Sequence, residues 1–164
     1  MSRNIIICSG GSGGHVFPAL SVYNEIKKNN CNNVVFLTDT RGAAFIKKMD
    51  SRVNFVTFPS IKASFKYVPS IFKTILNSFK LFLEHKPDLI ICFGGIFTVI
   101  PALLAKLLEV KILIHEQNAV IGKANRFITK HATPNKVMLS FKETLLTNEK
   151  SNYMYVGYPL LQIN

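Results

Sequence analysis

Cysteine is scarce in this 164-residue chain: Cys8, Cys31 and Cys92 form no CxxC pair and cannot all be bridged, which fits a reducing cytosol. Cys8 and Cys92 close apolar, strand-like runs, where a small buried hydrophobe is the ordinary reading and a catalytic thiol the rarer one. Acidic residues are scarce too. Nine Asp and Glu against 20 Lys and Arg give a formal charge of +11, which favours an anionic partner: a phosphate ligand, an acidic membrane surface or nucleic acid. Nucleic acid ranks last, because the lysines are dispersed and no RNP, zinc-finger or helix-turn-helix signature occurs. An unbroken membrane-length apolar run is also missing. Leu89 to Ala105 is interrupted by Gly94-Gly95, Thr98 and Pro101 and closed by Lys106, short of the about 20 residues that a span needs. The amino terminus, with Ile5-Ile6-Ile7-Cys8 before a glycine cluster, is too short for a signal-peptide core. What the chain does have is 48% apolar and only 18% charged residues, the composition of one packed domain.

Short β-branched runs alternate with helical patterns, the signature of an α/β fold with a parallel sheet and crossover helices. The runs predict strands over Asn4–Cys8, Val34–Thr38, Val53–Thr57, Asp88–Phe93, Lys111–His115 and Lys136–Leu139, with a last strand-like run at Tyr153–Val156. They are apolar throughout rather than alternating, as strands covered on both faces should be. Helices are predicted near Val16–Asn29, Ala43–Lys48, Ser70–His85, Thr98–Leu108 and Gly122–Lys130, and Ser140 with Glu143 reads as a capping box opening a helix over Phe141–Leu146. In such a sheet every strand ends on one rim, and ligands bind outside that rim.

Three strand ends therefore carry the interest. The first runs into Ser9-Gly10-Gly11-Ser12-Gly13-Gly14-His15 and then a helix. Glycines remove the Cβ atoms that keep a ligand from the backbone, and exposed N–H groups at a helix start favour an anion. A tight turn alone would need one or two glycines, not four. The loop fits neither the GxGxxG fingerprint, since Val16 stands where the third glycine belongs, nor the Walker pattern. That disfavours a nucleotide-binding oxidoreductase. His15 is either a surface histidine or an acid/base or phosphate contact. Asp39, just past the second strand, is either a ribose contact or a capping or surface aspartate. Gly94-Gly95 ends the fourth strand, where the backbone approaches a ligand or the next helix packs close. His115-Glu116-Gln117-Asn118 ends the fifth. These four polar residues either meet solvent or form a sugar-binding and general-base set.

Gly10–Ala19 (GGSGGHVFPA), Phe93-Gly94-Gly95 and Ile114–Ala119 (IHEQNA) occur here in this order. Together they resemble the amino-terminal domain of the MurG family, glycosyltransferases that add N-acetylglucosamine to the lipid-linked muramyl-pentapeptide precursor of peptidoglycan. The resemblance implies a Rossmann-like parallel sheet with helices on both faces, the amino-terminal half of an inverting GT-B transferase that needs no bound metal or other cofactor. It implies UDP-N-acetylglucosamine as donor, undecaprenyl-pyrophosphoryl muramyl-pentapeptide as acceptor, no nucleic acid, and peripheral attachment to the cytoplasmic face of the bacterial inner membrane. Carried over by position, Gly10, Gly11, Ser12, Gly13 and Gly14 hold the acceptor, Gly94 and Gly95 line the site, Asn118 touches the donor sugar, and His15 or Glu116 is the base.

Two positions depart from the family pattern. Ile96 stands where tyrosine is usual after the glycine pair, and Leu161 replaces the arginine usual at the domain crossover. Residues 1–156 are expected to form the acceptor domain and 157–164 the start of that crossover. With nothing after Asn164, the expectation is a fragment, one half of a split enzyme or the relic of a shortened gene, inactive alone without a separate carboxyl-terminal donor domain. The alternative is a non-catalytic module that binds a membrane or a pyrophosphate-lipid.

The stretch from Lys62 to Lys86 has its own pattern. Phe72, Ile75, Leu76, Phe79, Phe82 and Leu83 recur at helical spacing, with Lys73, Lys80 and Lys86 among them and Lys62, Phe65, Lys66, Tyr67 and Val68 ahead of them. The pattern fits first an ordinary crossover helix burying its apolar side, and second a basic amphipathic surface resting on anionic lipid.

Overall fold

The computed structural model describes residues 3–28, 33–49, 53–61, 68–146 and 150–160. Cys31, the 62–67 stretch with Lys62, Phe65, Lys66 and Tyr67, and Leu161 lie outside them. The described residues form seven strands: β1 (Asn4–Cys8), β2 (Asn33–Asp39), β3 (Phe55–Phe58), β4 (Leu89–Cys92), β5 (Lys111–Glu116), β6 (Lys136–Leu139) and β7 (Tyr153–Tyr155). They form one sheet in the order β3-β2-β1-β4-β5-β6-β7, and every pairing is parallel. The helices are α1 (Gly13–Lys28), α2 (Thr40–Met49), α3 (Val68–His85), α4 (Val99–Leu107), α5 (Lys123–His131) and α6 (Lys142–Leu146), with a 3-10 turn over Ile96–Thr98.

Both faces of the sheet are covered, which accounts for the continuously apolar strands. Ile5 and Ile7 of β1 join Val16, Leu20 and Tyr23 of α1 and Ile46 of α2 on one face. Ile6 and Cys8 join Leu81 and Phe82 of α3, Ala102 and Ala105 of α4 and Ile128 of α5 on the other. Cys8 and Cys92 are fully buried, free and in register on adjacent strands, and burial pushes the Cys8 thiol pKa well up. They are core residues.

Helix α3 does not bury its apolar side. The positions turned inward are Thr74, Ser78, Leu81 and Phe82, whereas Phe72 (63% exposed), Ile75, Leu76, Phe79 and Leu83 face out. Two of the four inward positions are thus taken by the small side chains of Thr74 and Ser78, and the bulkier apolar residues occupy the outer side. Of the six apolar residues with helical spacing, only Phe82 is in the core. Helix α6 starts at Lys142 rather than Phe141, and the Ser140 hydroxyl lies 3.5 Å from His115 Nε2.

The chain order reverses around β1, which is flanked by β2 and β4. The crevice at such a switch point opens between the loops that follow β1 and β4. These are the two glycine segments.

Candidate functional site

The loop after β1 is held from below by Asp39, the last residue of β2. One carboxylate oxygen accepts the amides of Gly42 (2.8 Å) and Gly11 (3.1 Å), and the other accepts the Arg41 guanidinium at 3.1 and 3.3 Å. Asp39 thereby caps α2 and pins the glycine loop with the same oxygen. Burial alone would push its carboxyl pKa up, but the Gly42 and Gly11 amides and the Arg41 charge outweigh it and hold the group below the usual carboxylate range. Its carboxylate is spent on the protein, so the capping reading of Asp39 holds.

Gly11 has φ +88°, a conformation that suits glycine, and its amide is already used. The Ser12 amide donates to Gly10 O, and the Ser12 carbonyl accepts His15 N and Val16 N, each at 3.1 Å, to start α1. The amides of Gly10, Gly13 and Gly14 have no hydrogen-bond partner among the described residues, and the last two lie on the helix. The first turn of α1 thus offers two free donors, at the positive end of a helix of 16 residues.

His15 sits on that first turn. Its Nδ1 is 2.9 Å from Ser12 Oγ, and Nε2 has no partner among the described residues. Burial pushes its pKa below the ordinary 6.5 and so favours the neutral imidazole, an effect that the Glu116 charge partly offsets. The ring rests on Gly94: a Cβ there would come 2.8 Å from His15 Cδ2 and 3.1 Å from Nε2. A Cβ on Gly95 would come 2.7 Å from the Gly10 carbonyl oxygen, and Gly94 and Gly95 have φ +95° and +87°. The second glycine pair therefore serves to bring the two loops together, with His15 clasped between them.

The end of β5 is mostly interior. His115 and Gln117 are buried, and the His115 ring lies 5.1 Å from that of Phe93. Burial lowers the His115 pKa, partly offset by the Gly157 carbonyl, Glu116 and Gln117. Glu116 is wholly buried and accepts four hydrogen bonds. Oε1 takes the Asn118 amide (3.0 Å) and Asn118 Nδ2 (2.8 Å), and Oε2 takes the Gly122 amide (2.8 Å) and Asn125 Nδ2 (2.9 Å). Thr144 Oγ1 donates to the Ala119 carbonyl at 2.6 Å and ties the same loop to α6. Of the four polar residues at this strand end, only Asn118 is exposed.

His15, Ser12 and Gly94 are thus in one cluster, and Glu116 and Asn118 in a second. Asn125 joins the two, since its Nδ2 would lie 3.4 Å from a Cβ on Gly94 and bonds Glu116. Sequence reasoning passed over Asn125, Gly122 and Arg41. Asn125 and Arg41 carry no motif that sets them apart from the other polar residues of the sequence.

The family model described as the glycosyltransferase family 28 N-terminal domain matches residues 5–137. The chain belongs to this family. Among curated proteins it is 34% identical, over 98% of its own length and 44% of the relative, to the UDP-N-acetylglucosamine–N-acetylmuramyl-(pentapeptide) pyrophosphoryl-undecaprenol N-acetylglucosamine transferase of Protochlamydia amoebophila. It is 33% identical to the protein of the same name from Vesicomyosocius okutanii, over 90% of the chain and 44% of the relative. The chain therefore spans a little under half the length of the curated relatives that it matches. The crystal structure of Acinetobacter baumannii MurG superposes with a TM-score of 0.79 at 24% identity, over 98% of this chain and 47% of that one. The UDP-GlcNAc 2-epimerase of Methanocaldococcus jannaschii superposes with a TM-score of 0.69 at 16% identity, over 94% of this chain and 45% of that one. These likenesses show the Rossmann-like fold of the family 28 domain. The two loops just described both fall within the family 28 match.

Proposed function

We propose that this chain is the acceptor-binding half of an N-acetylglucosaminyltransferase that converts a lipid-linked muramyl-pentapeptide to its N-acetylglucosaminylated form in peptidoglycan synthesis. The observation that carries the reading is the pairing of a neutral His15, its Nε2 open, with the two free amides of Gly13 and Gly14 at the switch point of a family 28 domain. Residues 1–156 form the acceptor domain and 157–164 begin the crossover to a donor domain that grips UDP-N-acetylglucosamine. The acceptor's pyrophosphate rests at Ser12–Gly14, and the lipid stays in the membrane beside the outward apolar face of α3, where Lys73 and Lys80 meet anionic headgroups. The protein attaches peripherally to the cytoplasmic face. Among the described residues no helix is long and apolar enough to cross a membrane.

In this mechanism His15 Nδ1–H donates to Ser12 Oγ, which leaves the Nε2 lone pair to take the proton of the acceptor hydroxyl. The hydroxyl oxygen bonds the anomeric carbon as the bond from that carbon to the UDP phosphate oxygen breaks. UDP leaves with the electron pair, and the anomeric configuration inverts. Glu116, saturated by four donors, shapes the loop that carries Asn118 to the donor sugar.

The test is transfer of labelled N-acetylglucosamine from its UDP donor to a lipid-linked acceptor. The chain alone should give none, and the chain mixed with a carboxyl-terminal donor domain of a relative should give product. Turnover by the chain alone would overturn the half-site reading. In a complete enzyme His15→Ala should lower turnover by about 10²–10⁴-fold, and undiminished turnover would remove His15 as the base.

A further inference from the structure

Asp39 does more than pin the glycine loop. Its second carboxylate oxygen, Oδ2, accepts Arg41 Nε–H at 3.3 Å and one terminal N–H of the same guanidinium at 3.1 Å. The carboxylate is wholly buried and its first oxygen is anchored by the Gly42 and Gly11 amides, so the arginine is fitted to a fixed partner. A guanidinium carries five N–H groups, and Asp39 takes two of them. The other three have no partner among the described residues. They lie on the edges of a planar group turned away from Asp39, on a side chain that is 46% exposed. The terminal nitrogen bound to Asp39 lies over Gly11, 3.4 Å from where a Cβ there would be. Gly11 and Gly13 are two residues apart, which puts their Cα atoms no more than about 7 Å from each other. The arginine and the open amides of Gly13 and Gly14 therefore belong to one loop. A half-exposed ion pair contributes little to folding. A guanidinium already held along one edge, however, loses little further freedom when its free edge takes up a ligand.

We infer that Arg41 makes the glycine loop selective for two linked anionic groups, a diphosphate, over a single one. One phosphate takes the amides of Gly13 and Gly14 at the start of α1. The next takes the free edge of the Arg41 guanidinium, whose planar fork matches phosphate oxygens. Asp39 is the positioning residue behind it. The inference rests on the proposed anion at Ser12–Gly14 and adds the residue that reads the second charge. A diphosphate ester can belong to a lipid or to a nucleotide, and the proposed function assigns it to the lipid.

The experiment is nuclear magnetic resonance of the full chain at constant ionic strength, titrated with orthophosphate, inorganic pyrophosphate, geranyl pyrophosphate and UDP. Pyrophosphate should shift the amides of Gly13 and Gly14 together with the Arg41 Nε–H, whereas orthophosphate should shift the two amides alone. This readout needs no variant. In Arg41→Gln the ratio of pyrophosphate to orthophosphate affinity should fall about 10-fold, the effect of one charge-assisted contact. Lys47→Gln removes the same charge from an exposed position of α2 and should leave the ratio as it is. If both anions shift Gly13 and Gly14 but Arg41 Nε–H stays still, or if Arg41→Gln keeps the native ratio, the inference is wrong and the loop site stands. An equal fall of the ratio in Lys47→Gln also overturns it, because general charge would then account for the preference. If neither anion shifts the Gly13 and Gly14 amides, the reading of the loop fails and the inference with it. Geranyl pyrophosphate should show the same dependence on Arg41 as inorganic pyrophosphate. Tighter binding of UDP with that dependence would uphold the role of Arg41 and overturn the assignment of the diphosphate to the lipid.

Discussion

Replacing Glu116 by Gln keeps the size and shape of the side chain and turns one acceptor oxygen into a donor. Four donors converge on this group: the Asn118 amide and Nδ2 on one oxygen, the Gly122 amide and Asn125 Nδ2 on the other. A carboxamide can satisfy only one of these pairs and must oppose the other with its own N–H2. Burial decides which. Asn125 is buried and cannot turn to water, whereas Asn118 is exposed and can. The Gln oxygen should therefore face Gly122 and Asn125, and its nitrogen should push the Asn118 side chain outward. The loss is two hydrogen bonds to a charged acceptor, one of them recovered by water, with one amide left facing a donor. At about 1–3 kcal/mol for a buried group left unsatisfied, the net cost is about 2 kcal/mol. For a domain of this length that lowers Tm by about 4–8 °C. Calorimetric or circular-dichroism melts of the isolated chain read this without any substrate, so the effect is separate from catalysis. Glu116→Ala, which abandons all four donors, should lose more. A Gln variant melting within about 1 °C of the native chain would refute the account of Glu116 as a buried organiser.

Acid should destabilise the fold in two steps. His15 and His115 have pKa values pushed below 6.5, so the unfolded chain binds protons first, and stability should fall as pH drops below about 6.5. Asp39 is held below its ordinary 3.8, so its contribution persists above that value and is lost below it. Urea midpoints measured from pH 8 to pH 3 check both, and a flat profile between pH 7 and pH 5 would contradict the histidine burial. The outward face of α3 should make the chain sediment with anionic vesicles at low salt and release at high salt. Phe72→Glu should weaken that binding without altering the melt, and equal recovery with neutral vesicles would remove the membrane role. Gly95→Ala should cost about 1–3 kcal/mol, because φ +87° with ψ 143° suits only glycine and the Gly10 carbonyl blocks a Cβ; an unchanged urea midpoint would show that the two loops are not clasped.

The strands were legible because burial on both faces writes an unbroken apolar run, and β1 and β6 begin and end where the sequence puts them. The start of α1 was not. It opens at Gly13, before Val16, because the Ser12 carbonyl accepts the first turn, and two glycines look like loop to any propensity argument. The direction of α3 was not legible either. Hydrophobicity marks Phe72, Ile75, Leu76, Phe79 and Leu83 as a face, but which face meets the sheet depends on how closely the helix can approach. Thr74 and Ser78 are small, and that advantage appears only when neighbouring elements are in place. At the site, the sequence located the rim and its polar residues but could not divide their labour. His115, Glu116, Gln117 and Asn118 are four polar residues in a row, and only their burial separates the interior three from the exposed one.

The glycines of the first loop also divide by environment. Gly10 lies against Phe97 and Asp39, with the room for a Cβ limited to 3.3 Å from the Phe97 side chain. Gly11 gives its amide to Asp39. These two shape the turn and let Gly95 pass beneath it. Gly14 is different: a Cβ there would meet only Ser12 Oγ, at 3.8 Å, and its amide and that of Gly13 are unclaimed among the described residues. An alanine at Gly14 would therefore leave the fold intact while placing a methyl group beside the open helix start. Gly11 and Gly14 thus differ in what they do for the loop: the first is committed to the turn, and the second leaves space at the helix start.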